Sequence, residues 1–315
     1  MSGNVAIIKP SELAPASSRL ICALLPRYLD AKCYQVVVGD AHLSQRLLQH
    51  KFDYIFFTGS DRIGRSVHQA AARTLTPTTL ELGGKSPLYV DASLPKSALR
   101  IACRRIIWGK MLNAGQTCIA PDYVLCSAAT RPALLQHMVA VIEEFFGPDP
   151  KATPDFGRIV NRHHFARLSR LLEGTTGKAV YGGITDPEEL YIAPTILVDV
   201  DADSDPLMAE EIFGPIFPVI TVADAEEALR FINRRPKPLA LYLFCEAADK
   251  GAGSGKESLV ERFIRETSSG ALCVNDVVLH CSLDSLPFGG VGQSGMGAYH
   301  GRYSVDTFSH DKAGE

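Results

Sequence analysis

The feature that most narrows the fold of this chain is an alternation, repeated along its length, of short β-branched or aromatic runs with longer stretches of helical periodicity. "NVAIIKP" (residues 4–10), "YQVVVGD" (34–40) and "FDYIFFTGS" (52–60) are each bounded by turn formers and read as buried strands. Between the first two, "SELAPASSRLICALLPRYL" (11–29) offers Ser11 as an N-cap ahead of apolar residues at helical spacing, and "DRIGRSVHQAAARTL" (61–75) follows the third as an amphipathic helix. Strand alternating with helix implies a parallel, doubly wound sheet, because parallel neighbours need a crossover long enough to hold a helix. The first strand begins without a lead-in helix or cap, so the pattern is expected to lack its front.

A second α/β unit continues past Glu81: strand "SPLYVD", helix "KSALRIACRRIIWGKML", a polar loop, strand "DYVLCS", helix "RPALLQHMVAVIEEFF", and later helix "DAEEALRFINRR" leading into strand "LALYLFC". With 46% hydrophobic and 21% charged residues in 315, the chain is large enough for two domains. A net charge of -3 gives no electrostatic reason to expect nucleic acid or an anionic membrane as partner. No basic, apolar leader and no run of roughly 18 apolar residues is present, so no membrane anchor is expected. Eight cysteines without a CxxC pair indicate neither a zinc site nor a disulfide frame, and fit a reducing, cytoplasmic compartment.

Several residues invite chemistry. "FFTGS" ends a strand in Gly59 and Ser60 before a helix, where free backbone N–H groups face an anion; a plain strand-to-helix turn reads the same way. Lys9 and Glu12 in "IIKPSE" sit just past a strand's carboxyl end, where nucleotides bind in open α/β sheets, or else are surface charges. Glu81 lies in an apolar run ahead of two glycines, so its carboxylate is either satisfied, for example by Lys85, or raised in pKa as a general base requires. Cys118 in "NAGQTCIAPDYVLC" is either a packing residue or a nucleophile, and a nucleophile needs an electropositive, partly exposed setting. "GVGQSG" (290–295) matches a dinucleotide fingerprint formally but follows no strand, and "KGAGSGKE" (250–257) lacks the spacing of a phosphate loop and reads as a solvated insertion.

"KPSE" (9–12), "FTGS" (57–60), "ELGGK" (81–85), "NAGQTC" (113–118), "EEIFGP" (210–215) and "PFGGVGQSGMG" (287–297) occur in the order found in aldehyde dehydrogenases, and the chain resembles that family over essentially its whole length, most closely the class 3 branch. The resemblance implies a partial Rossmann-like dinucleotide-binding domain over 1–81, an α/β catalytic domain over 82–280, and a C-terminal segment, 281–315, returning to the cofactor domain or an oligomer contact. It implies Cys118 as nucleophile and Glu81 as general base. Lys9 and Glu12 would lie near the adenosine ribose, Gly59, Ser60 and Gly64 at the pyrophosphate turn, and Glu211 and Phe213 at the nicotinamide ribose and ring. NAD or NADP would be the cofactor, a medium- to long-chain or aromatic aldehyde the substrate, and a homodimer the assembly if the chain is complete. The family places a Pro-Trp-Asn segment ahead of "KPSE" whose asparagine completes the oxyanion hole, and loss of such a donor costs roughly 2.7 to 4 kcal/mol. Its absence here implies a truncated chain, with a catalytically weak or silent binding or assembly protein as the alternative reading.

Overall fold

In a computed structural model of the protein, residues 3–246 and 257–314 are described; the insertion at 250–257 lies outside them except for Glu257. The first unit runs β1 (Ala6–Ile8), α1 (Pro15–Tyr28), β2 (Tyr34–Val36), α2 (Ala41–Leu47), β3 (Ile55–Thr58), α3 (Asp61–Ala72) and β4 (Thr78–Glu81). β1 pairs parallel with β2, and β3 with β4, in two separate small sheets.

Two expectations need correction here. Ser11 does not cap α1: the helix starts at Pro15, whose ring presets the first-turn φ and lacks the N–H a cap would satisfy. The Ser11 hydroxyl instead accepts from Leu13 N–H, and its carbonyl accepts from the Ser18 hydroxyl. Nor are the first three strands buried on both faces. Ile7 and Phe56 are exposed while their strand neighbours are half-buried, the period of two that a one-sided sheet requires.

The second unit holds the core. It continues with β5 (Pro87–Val90), α4 (Lys96–Met111), β6 (Tyr123–Cys126), α5 (Arg131–Phe146) and α6 (Arg162–Gly174). Then come β7 (Lys178–Tyr181), the short hairpin β8 (Thr185–Asp186) and β9 (Tyr191–Ile192), β10 (Thr195–Val198), α7 (Pro206–Ala209) and β11 (Ile216–Thr221). α8 (Ala225–Asn233), β12 (Ala240–Phe244), α9 (Leu259–Glu266) and β13 (Ala271–Val274) complete it. Seven strands order as β13-β12-β5-β6-β11-β10-β7, parallel except at the β10–β7 edge. Every residue of β5, β6, β10 and β12 is buried, which only a sheet covered on both faces allows. Tyr89 of β5 stacks on Phe263 of α9, and Tyr123 of β6 packs on Phe231 of α8.

The tail crosses back. "GVGQSG" forms a short 3-10 turn running into β14 (Gly295–Met296), which lies antiparallel on β4 with Gly295 opposite Glu81, and α10 (Gly301–Thr307) follows. Tyr299 and Phe308 then meet the exposed face of Phe56 at ring separations of 5.0 and 6.0 Å. No helix among the described residues is long and apolar enough to cross a membrane.

Candidate active site

Glu81 ends β4, the strand wedged between β3 and β14, and is 3% exposed. Its Oε1 has no hydrogen-bond partner among the described residues, and burial pushes the carboxyl up to about 7. Lys85 is not its partner: that ammonium donates to Asp122 at 2.6 Å and to the carbonyls of Leu207 and Glu210 at 2.6 and 2.9 Å.

Cys118 follows an unusual turn. α4 stops at Met111, and Asn113, Ala114 and Gly115 all adopt left-handed backbone, at φ 53°, 53° and 75°. Only glycine fits the third place, since a Cβ on Gly115 would fall 2.2 Å from the Gly214 carbonyl oxygen. The strain is held by a closed set of bonds. Asn113 Nδ2 donates to Gln116 O, Gln116 Nε2 donates to Asn113 O and Arg158 O, and Gln116 Oε1 accepts from Val160 N–H at 2.9 Å.

The thiol itself departs from the electropositive setting expected of a nucleophile. Burial pushes partly buried Cys118 up to about 11; the Glu211 and Glu81 carboxylates add to the rise, and the N–H groups of Cys118 and Ile119 oppose it. The Glu211 and Glu81 charges thus both act on the Cys118 thiol.

Glu211 lies over Gly83, where a Cβ would fall 2.2 Å from its Oε2. Burial, then the Asp122 charge, push its carboxyl up to about 8, while the Gly84 N–H, Lys85 and Arg167 pull it down. Arg167 clamps the segment by donating to the carbonyls of Glu211 and Ile212. Phe213, two residues on, has a φ of 50°, strained for an aromatic residue.

The remaining candidates sit at strand ends of the first unit. Lys9 and Glu12 pair with each other at 2.7 Å just past β1, which holds the Glu12 carboxyl below its usual range. Gly59 donates its N–H to the Glu81 carbonyl at 3.0 Å, Ser60 is the N-cap residue of α3 without using its hydroxyl as a cap, and Gly64 is buried against Leu82. Of these groups, Gly59 is bonded to the Glu81 backbone and Gly64 packs on the next residue, Leu82.

Sequence reasoning missed Asp122 and Lys110. Asp122, 3% exposed, accepts from Lys85 and from Ile212 N–H and so ties the cysteine loop to the Glu211 segment. Lys110 is fully buried, 4.0 Å from Asp122 Oδ1 and over the Phe217 ring; burial drives it down to about 8 despite Asp122. The one available signal was a lysine in the apolar stretch "IIWGKM".

The aldehyde dehydrogenase family profile matches residues 1–313. Aldehyde dehydrogenase family 3 member A2 of Rattus norvegicus is 51% identical over 311 residues, covering 99% of this chain and 61% of that protein. The dimeric NADP-preferring aldehyde dehydrogenase of Canis lupus familiaris is 48% identical over 309 residues, 98% of this chain and 65% of its own. Among solved structures, the substrate-bound state of Staphylococcus aureus AldH superposes with a TM-score of 0.91 at 46% identity, over 98% of this chain and 65% of that one. The chain thus spans about three fifths of the length of these relatives.

Proposed function

Because the chain belongs to the aldehyde dehydrogenase family, we propose that its site oxidises an aldehyde to a carboxylic acid, with Cys118 as nucleophile and Glu81 as general base. The observation that carries this reading is the coupling of an unpartnered, buried carboxyl near pKa 7 to a cysteine on a strained, fastened loop. A Glu81 satisfied by Lys85 would have argued for a structural role.

The residues suit NAD or NADP. The first turn of α3, which follows Gly59 and Ser60 and includes Gly64, offers free N–H groups to a pyrophosphate. Glu211, whose carboxylate receives the Gly84 N–H, has acceptor capacity left for ribose hydroxyls, with Phe213 beside it at the ring. Lys9 and Glu12 would meet the adenosine ribose. When bound, the nicotinamide supplies the hydride acceptor.

Cys118 first gives up its proton to a water molecule, a step its raised pKa makes costly. Sulfur then bonds to the carbonyl carbon, and the backbone N–H of Cys118 receives the oxyanion. Once the acyl group is a thioester on Cys118, Glu81 accepts a proton from water, the water oxygen bonds to the acyl carbon, and the carbon–sulfur bond breaks. A medium- to long-chain or aromatic aldehyde, a homodimer like the relative named as dimeric, and a reducing cytoplasm that keeps Cys118 a thiol complete the proposal.

Absorbance of NAD(P)H during incubation with octanal or benzaldehyde tests it: turnover by wild type and none by Cys118→Ala is expected. One observation favours a second reading, a silent binding or assembly protein, namely the thiol held at about 11. That reading requires cofactor binding without turnover.

A further inference from the structure

One phenol bridges two loops that each carry a cysteine. Tyr242 of β12 donates its hydroxyl proton to the carbonyl of Ile119, the residue after Cys118, at 2.5 Å, and accepts from Val278 N–H at 3.4 Å. Val278, at φ 64°, opens the 3-10 turn Leu279–Ser282, and Cys281 N–H donates back to the Val278 carbonyl at 3.0 Å. The His280 ring packs on Tyr242 at 6.1 Å. A single buried side chain therefore ties the Cys118 loop to the turn that carries Cys281.

Electrostatics agrees with that placement. Burial raises the Tyr242 phenol well above its usual value, the Val278 N–H opposes this, and the sulfurs of Cys273, its partner across the β12–β13 ladder, of Cys118 and of Cys281 all add to the rise. The Tyr299 phenol, packed against Phe288 in the returning tail, is pushed up to about 12 by burial, then by Glu81, Cys118 and Cys281. Cys118 and Cys281 are both free, partly buried, and packed against the main core. The turn is open to solutes, since Leu279 and residues 282–287 are exposed.

We propose that Cys281 is a resolving thiol for Cys118, the two sulfurs joining in a reversible disulfide across the Tyr242 hydroxyl when the protein meets hydrogen peroxide. Peroxide transfers one oxygen to the first thiol, giving a sulfenic acid and one water. The second thiol then attacks that sulfur, the S–O bond breaks, and a second water leaves as the S–S bond forms. Two thiols are oxidised and one peroxide is reduced. The bond spares Cys118 the irreversible step to sulfinic acid. It requires only the proximity of two sulfurs, not the proposed reaction, and goes beyond it.

A disulfide tolerates Cα separations only up to about 7 Å, so its formation also measures the distance between the two loops. The test treats the 315-residue chain with hydrogen peroxide, blocks remaining thiols with N-ethylmaleimide and maps peptides by mass. The expected product links Cys118 to Cys281 with the loss of two hydrogens, is undone by dithiothreitol, and persists in Cys273→Ser. In Cys281→Ser, Cys118 should instead progress to sulfinic acid that dithiothreitol does not restore. Wild-type Cys118 found as sulfinic acid beside an alkylated Cys281, or Cys281 joined to Cys273 with Cys118 untouched, would overturn the proposal. Because the readout is mass, failure of the link leaves the aldehyde assay unaffected, and failure of that assay leaves the link.

Discussion

Glu81 and Asp122 are both 3% exposed, and they teach opposite lessons about a buried carboxylate. Asp122 is surrounded by what it needs: Lys85 at 2.6 Å, the Ile212 N–H at 3.1 Å, and Lys110 at 4.0 Å. Glu81 has none of this for its Oε1, and its carboxyl rises to about 7. Asp122 spends its charge on holding three chain segments together. Glu81 keeps a proton affinity near neutrality, which is what a base for water requires and what a stable fold would avoid.

The sharpest break in that contrast should come from Asp122→Ala. It leaves two lysines, one fully buried, without their counter-charge, and denaturant unfolding should show a loss of about 3–5 kcal/mol. A loss under 1 kcal/mol would mean that Asp122 is no more anchored than Glu81.

Glu81→Gln should behave in the opposite way. Turnover is expected to fall about 10²–10⁴-fold, as for removal of a general base, and the wild-type rate should climb with pH through about 7, a limb that the variant lacks. Stability should move the other way. The folded pKa of Glu81 lies above its ordinary 4.5, so its contribution is most favourable below pH 4.5, declines up to about 7 and stays flat above. At about 1.4 kcal/mol per pKa unit, glutamine at pH 8 should gain up to roughly 3 kcal/mol, read as a higher thermal midpoint. A variant that is less stable at pH 8 than at pH 5 relative to wild type would show that Glu81 is satisfied after all.

How much of this could be read from the amino-acid string follows the range of the forces. The strand containing Glu81 and the loop containing Cys118 were legible, because an apolar run before two glycines and a polar run before a β-branched segment are local signals. Asp122 was not, since Lys85 precedes it by a whole strand and helix and Ile212 comes from a distant loop. The thiol's raised pKa is hidden for the same reason: it comes from burial and from the Glu211 and Glu81 carboxylates, which only three-dimensional packing brings to bear on Cys118. Ser11 misled because a hydroxyl before a helical pattern looks like a cap, whereas Pro15 four residues later sets the start. The exposure of Ile7 and Phe56 is not legible, because β-branched and aromatic runs carry no mark of how many faces are covered.

Two smaller effects extend the comparison outward from the two carboxylates. Gln116→Ala leaves Val160 N–H and Arg158 O without the side chain that satisfies them and frees the left-handed turn, so about 1–3 kcal/mol should be lost, with a larger drop in kcat than in aldehyde KM. An unchanged kcat would detach the loop's fastening from its chemistry. Lys9→Ala should cost no more than about 1 kcal/mol of stability, since its partner Glu12 is exposed, and should raise only the KM for the cofactor. A large stability loss there would make the pair a fold element rather than a binding one.

The central claim is that Cys118 takes an acyl group which Glu81 is needed to remove. The most direct measurement is intact mass and peptide mapping of Glu81→Gln after mixing with p-nitrophenyl acetate. One acetyl group accumulating on Cys118, while wild type returns to the free thiol, is the predicted result. Acetyl spread over other cysteines, or a Cys118 that stays unmodified in both proteins, would contradict it.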